Sequence, residues 1–257
     1  MNRNLLPPAL GFILGLALLT GCASSRLRPS VAIPQSEAVT ESTEPPAAPR
    51  DIIRAAAAQP LSLVAGDGWH PLFDGSSLDG WRVTDFGGGG RAELQQGLMV
   101  FRMGTPFTGV NYTNAVPKLN YEVTFEAMRV AGEDFFCGLT FPVGDSFVSL
   151  IVGGWGGTVV GISSIDGEDA SGNETSRTMN FETGHWYRIR LRVSEQKIEA
   201  WLDQKEIVNV VTTGHRLSLR AGDIELSKPF GLASWATSAA FRDIKIRNVA
   251  GPADPTK

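Results

Sequence analysis

The chain has 257 residues, with 23 Lys and Arg against 27 Asp and Glu, a formal net charge of −4. A nucleic-acid partner calls for a basic stripe, so this balance argues against one. The length beyond the N-terminal segments suffices for one good hydrophobic core.

Residues 1–21 read as an export signal. Arg3 supplies positive charge, Leu10 to Leu19 is apolar, and small residues precede Cys22. A membrane-spanning helix would need about 20 apolar residues. Leu19-Thr20-Gly21-Cys22 resembles the bacterial lipobox, in which the cysteine becomes the acylated N-terminus. Acyl chains on Cys22 would hold the protein on a membrane surface. Ala23 rather than Asp follows, so nothing argues for inner-membrane retention. The expectation is an exported, membrane-anchored lipoprotein, in the outer membrane where the cell has one. The bland alternative is an ordinary signal peptide with an incidental cysteine. With Cys22 committed to the anchor, Cys137 has no disulfide partner and reads as a small buried apolar residue.

Residues 22–66 read as an acylated cysteine followed by a disordered tether. Pro34, Pro45, Pro46, Pro49 and Pro60 interrupt pairing, and Ser, Thr, Glu and Ala dominate the rest. Asp51 to Ala58 suits a helical turn or two, but an isolated helix this short is marginal. Residues 67–250 form the expected domain, and 251–257 a tail.

Strand signals run through that domain. Asn120 to Val130 alternates with Tyr121, Val123, Phe125 and Ala127 inward. Phe135 to Phe141 and Phe147 to Val152 are continuously apolar, as in strands covered on both faces. Trp186 to Val193 has a strict period of two, Tyr187, Ile189, Leu191 and Val193 on one face and Arg188, Arg190 and Arg192 on the other. Lys197 to Asp203 suits its hairpin partner, and Ala240 to Val249 is the last strand. Short strands separated by Gly, Asp and Asn turns predict an all-β fold, an antiparallel two-sheet sandwich of the jelly-roll type. The arginine face could bind phosphate, but a solvated outer face paired with Glu199 is the simpler reading.

Between these strands lies the most distinctive segment. Trp155 sits between two glycine pairs in Gly153-Gly154-Trp155-Gly156-Gly157, which denies it bulky neighbours in sequence. Such glycines either let a ligand approach or permit tight turning. The loop that follows carries Asp166, Glu168, Asp169, Asn173 and Glu174. An aromatic platform beside clustered polar groups is what sugar recognition needs. Gly87-Gly88-Gly89-Gly90 lacks the Lys and Ser of a phosphate loop, and no Gly-X-Ser-X-Gly elbow is present. His70, His185 and His215 are not spaced with other His or Cys for zinc. A divalent metal could sit in the acidic loop, although its spacing does not fit an EF-hand.

Phe73-Asp74-Gly75-Ser76-Ser77-Leu78-Asp79-Gly80-Trp81 resembles the opening signature of the 3-keto-disaccharide hydrolase-like family. The Gly-Trp-Gly-Gly segment, Gly184-His185-Trp186-Tyr187, Ala200-Trp201-Leu202-Asp203 and Phe241-Arg242-Asp243-Ile244 follow the same order. The resemblance implies a concanavalin-like jelly roll that acts on 3-keto-glycosides. Where many members carry Gln-X-His-Gly, this chain reads Phe230-Gly231-Leu232-Ala233-Ser234-Trp235-Ala236-Thr237, without a histidine.

A 3-keto sugar has an acidified proton at C2 and its glycosidic oxygen in the β position. Elimination followed by hydration then gives net hydrolysis, which needs a base, an acid and a donor to the ketone oxygen. The acidic loop predicts Asp166, Asp169 and Glu174 as catalytic carboxylates. Trp155, Trp235, Asn173, Arg177 and Asp145 are the expected sugar contacts. Turn and cap duty is the competing reading of the acids, and core packing that of the tryptophans. A non-catalytic glycan-binding module at the cell envelope is the alternative function, and a lectin-like domain that engages a protein partner is a third.

Overall fold

The computed structural model describes residues 49–250. A single α-helix among them, α1 (Pro49–Ala57), leads into fifteen strands. They are β1 (His70–Phe73), β2 (Trp81–Val83), β3 (Ala92–Gln95), β4 (Leu98–Phe101), β5 (Phe107–Tyr112), β6 (Tyr121–Gly132), β7 (Cys137–Val143) and β8 (Ser146–Gly154). There follow β9 (Val159–Ser163), β10 (Arg177–Thr178), β11 (Tyr187–Val193), β12 (Lys197–Leu202), β13 (Lys205–Val211), β14 (Gly231–Trp235) and β15 (Thr237–Asn248). A short 3-10 helix, Asp223–Ser227, interrupts the connection from β13 to β14.

The strands form two antiparallel sheets, as the alternation predicts. Sheet A has the order β13-β12-β11-β6-β15-β4-β3, with β1 added to β15, and sheet B the order β10-β9-β8-β7-β14-β5-β2. Tyr187, Ile189, Leu191 and Val193 enter the core between the sheets beside Tyr121, Val123, Phe125 and Ala127. From sheet B, Leu139, Phe141, Val148, Leu150 and Val152 meet them. In β15, Phe241 and Ile244 both face the core although three residues apart. Period two cannot do this, and a register shift between Arg242 and Lys245, with Asp243 at φ 53°, switches the parity.

The arginine face of β11 is only partly the solvated surface expected: Arg190 and Arg192 remain partly exposed, and Arg188 does not. Arg188 is buried and pairs with Glu126 of β6 and Asp243 of β15, while Arg192 donates to Glu122 at 2.7 Å. The partners are cross-strand neighbours on β6 and β15, and Glu199 is not among them. Arg190 reaches the same Glu122 at 3.5 Å and lies 3.8 Å over the Trp201 ring.

What covers this face is residues 49–66, the stretch expected to be a disordered tether; for these residues the expectation is corrected. Ile53 and Ala56 of α1 are buried against Leu98, Val100, Met128, Val130, Trp186 and Ala240. Trp186 Nε1 donates to the Ala56 carbonyl at 3.1 Å, and Arg242 donates to the carbonyls of Ala56, Gln59 and Pro60. Ser62 closes the strap by donating to Glu126 and accepting from Arg188. A nine-residue helix is marginal alone; packing of its apolar stripe and satisfaction of its last carbonyls hold it here.

Candidate functional site

The outer face of sheet B carries its own apolar layer. Because side chains alternate, Val148, Leu150 and Val152 point into the core while Ser149 and Ile151 point away. On that outward side Phe107, Phe135, Ile151, Ala233 and Ile224 pack together. A cavity of about 450 Å³ opens above them. Its polar lining is Asp134, Asp223, Arg220, Ser149 and Ser163, and both Trp155 and Trp235 stand in its wall.

The two tryptophans are held half-exposed, at 38% and 37%. Trp235 ends β14 and pairs with Phe107; its ring meets Phe107 edge-on at 4.6 Å, and its amide donates to the Phe135 carbonyl. Trp155 occupies the β8–β9 turn in a left-handed conformation at φ 49°, followed by Gly156 and Gly157 at 79° and 100°. The glycines therefore serve the turn, and the turn in turn presents the indole.

Three charged groups surround these rings. Asp134, on the β6–β7 loop, accepts the amides of Phe135 at 2.7 Å and Gly156 at 3.2 Å, so its carboxylate is fixed to the Trp155 turn. Asp223 opens the 3-10 helix, is exposed, and has no side-chain hydrogen bond or ion pair among the described residues. Arg220 stands 5.8 Å from the Trp155 ring centroid and 3.8 Å from Asp169 Oδ2. Neither Arg220 nor Asp223 was singled out from sequence, since both lie in a loop whose approach to β8 leaves no local pattern.

Of the residues expected from sequence, Trp155 and Trp235 meet in this cavity and the others do not. Asp166 accepts the Arg216 amide at 2.7 Å and pairs with His215 Nδ1 at 2.7 Å. These contacts hold its carboxyl below the usual carboxylate range, the amide bond contributing most, and the Asp166 bond raises the imidazole of His215. Glu174 and Arg177 line a separate recess of about 300 Å³ with His215. Asp169 receives the amide and hydroxyl of Ser171. Asn173 donates to the carbonyls of Ile162, Glu168 and Asp169 and accepts from Thr175, which spends its amide inside the loop. Asp145 lies on the β7–β8 turn, paired with Lys118 and fully exposed. Asp166 and Glu174 thus flank His215, at 2.7 Å from Nδ1 and 3.6 Å from Nε2, tied across the fold, whereas Asp169 takes the local turn bonds of Ser171. Among the described residues no group of three or more His, Cys, Asp or Glu is placed to hold a metal ion. Cys22 lies outside the described residues.

No curated protein matches the sequence. Among solved structures, the chain is similar to a Crh5 transglycosylase determined in complex with NAG, at 12% identity and a TM-score of 0.50, covering 73% of this chain and 86% of that one. It is also similar to a Bacillus subtilis protein of unknown function with a galectin-like fold (12% identity, TM-score 0.47, 72% and 96% covered). A carbohydrate-binding module from Bacillus subtilis matches at 11% identity and a TM-score of 0.45, with 66% and 96% covered. At such identities the likeness is one of fold. The model of the 3-keto-alpha-glucoside-1,2-lyase-like domain matches residues 68–247, most of the chain, and the protein belongs to that family.

Proposed function

We propose that the domain binds a 3-keto-glycoside in the cavity on sheet B and cleaves it by elimination and hydration. The observation that carries this reading is the pair of half-exposed tryptophans, Trp155 and Trp235, set beside Asp134, Asp223 and Arg220 in one cavity. Aromatic faces stack on the apolar faces of a sugar ring, and a few convergent polar groups fix its orientation.

Asp223, free of protein partners, takes the C2 proton. Arg220 meets the negative charge that develops on the ketone oxygen, as a donor aimed at an enolate should. The glycosidic oxygen leaves with a proton from solvent at the cavity mouth. Water then adds across the unsaturated sugar, so the net change is hydrolysis. Asp134, pinned by two backbone amides, accepts a substrate hydroxyl and sets the register. Export, with Cys22 as the acylated membrane anchor, completes the proposal and would place the site outside the cytoplasm.

A second reading, a glycan-binding module without catalysis, is favoured by one observation. The segment in which many members carry a histidine here runs along β14 and contributes Trp235 to the cavity instead. Incubation of the protein with a panel of 3-keto-glycosides separates the two. Release of keto-sugar, lost in Asp223→Asn, supports catalysis; binding of the parent glycans without turnover supports the module.

A further inference from the structure

Arg129 is an anomaly in the core. It continues the inward series Tyr121, Val123, Phe125 and Ala127 of β6, yet it carries a guanidinium, 7% exposed, into the space between the sheets. No carboxylate pairs with it among the described residues. Its Nε is buried without a partner, and burial pulls its pKa down. Isolated buried charge opposes folding, and an apolar side chain of similar size would serve the core better.

Its contacts show where the compensation lies. Nη2 donates to the carbonyls of Gly157 at 2.9 Å, Asp134 at 3.3 Å and Gly153 at 3.4 Å, and Nη1 reaches the Phe181 carbonyl at 3.5 Å. The rings of Phe136 and Phe181 flank the group at 5.3 and 6.0 Å. Gly153 and Gly157 bracket Trp155. Asp134 is the residue whose carboxylate takes the Gly156 amide of the same turn. One cation thus gathers the backbone on both sides of the indole and the backbone of the fixed carboxylate.

The glycines acquire a second reason. A Cβ at Gly153 would stand 2.7 Å from Arg129 Nη2; one at Gly157 would stand 3.2 Å from it and 2.8 Å from the Glu133 carbonyl. The glycine pairs around Trp155 leave room for a guanidinium beneath the turn, besides uncovering the ring above it.

We infer that Arg129 is the positioning residue of the sugar site, holding Trp155 and Asp134 in their mutual arrangement from inside the sandwich. The inference rests on the proposed sugar site and assigns the residue that builds it. Arg129 does not touch substrate.

The test uses the full-length chain carrying fluorotryptophan, with the Trp155 and Trp235 resonances assigned by single Trp→Phe variants. Arg129→Lys keeps the charge but loses the fork. Without ligand, it is expected to move or broaden the Trp155 resonance and leave that of Trp235 in place. With methyl 3-keto-α-glucoside, KM rises, kcat falls, and kcat/KM drops by about tenfold or more, since small misplacements near reacting groups are costly. In a Trp155→Ala background the same substitution costs less, because part of what it positions is gone. A folded Arg129→Lys protein with an unmoved Trp155 resonance overturns the inference, as does a loss of activity that is fully additive with Trp155→Ala. Should Arg129→Lys fail to fold, Arg129→Met, an apolar side chain of similar length that suits the core, must displace the same resonance; an unmoved resonance there is equally fatal. If the wild type does not turn over the keto-glucoside, the proposed catalysis fails, while the fluorine spectrum still decides the role of Arg129.

Discussion

Replacing Ile53 by Ala distinguishes a docked strap from a tether. Ile53 is fully buried on α1, against Leu98, Val100, Met128 and Val130 of sheet A and Trp186 just before β11. Truncating a fully buried isoleucine costs about 2–5 kcal/mol, and a terminal helix that can settle toward the sheet belongs in the lower half, about 2–3 kcal/mol. For a domain of this size each kcal/mol moves Tm by about 2–4 °C, so a fall of about 4–12 °C is expected. Thermal unfolding followed by circular dichroism measures it, with emission from Trp186 as a local probe, since its Nε1 donates to Ala56. Leu63→Ala is the control, because that side chain is wholly exposed and its removal should leave Tm unchanged. A tether would tolerate Ile53→Ala within about 0.5 kcal/mol. An Ile53→Ala shift no larger than that of the control would refute the docked helix and the argument that packing stabilises it.

Other outcomes follow from the same structure. Trp155→Ala and Trp235→Ala should each weaken sugar binding by about 0.5–1.5 kcal/mol, read by calorimetric titration on proteins that remain folded. The His215–Asp166 pair should make the Tm difference between wild type and His215→Gln depend on pH. A raised imidazole stabilises while protonated and loses that contribution as pH rises through its folded value; a depressed carboxylate stabilises while ionised and loses it as pH falls. The difference should therefore be largest between about pH 4 and about pH 6.5 and shrink on either side. A flat profile would contradict the pairing. Cys137 is fully buried, which pushes its thiol far up, so thiol reagents should label it only after unfolding. Rapid labelling at Cys137 of the native protein, with Cys22 replaced by Ser, would contradict this burial.

The sandwich was legible wherever burial on one face alone sets the pattern. Tyr187 to Val193 alternates because sheet A buries one side of β11 in the core, and the same pattern marked β6. Trp155 stood out because glycine pairs deny it cover. The helix at residues 49–57 was legible only as a marginal turn or two at Asp51 to Ala58, and its docking was not: its stability comes from Trp186, Met128 and Arg242, distant in sequence, and not from its own propensity. Arg188 looked solvated for the same reason, since the strap that covers it and the acids on β6 and β15 that pair with the β11 arginines are brought there by topology. The acidic loop drew attention because Asp, Asn and Glu serve turns and catalysis with the same groups. Asp169 and Asn173 turn out to bond their own loop, and Asp166 ties it to Arg216 and His215 of a distant one. Asp223 and Arg220 gave no signal, because one loop of ordinary composition carries both to the cavity.

The most direct test of the central claim is turnover of a 3-keto-glycoside by wild type, Asp223→Asn and Glu174→Ala, compared under one set of conditions. A cavity on sheet B as the catalytic site predicts keto-sugar release by wild type and by Glu174→Ala, and a fall in kcat of about a hundredfold or more in Asp223→Asn. Undiminished turnover in Asp223→Asn, with loss in Glu174→Ala, would move the chemistry to the acidic loop and contradict the account.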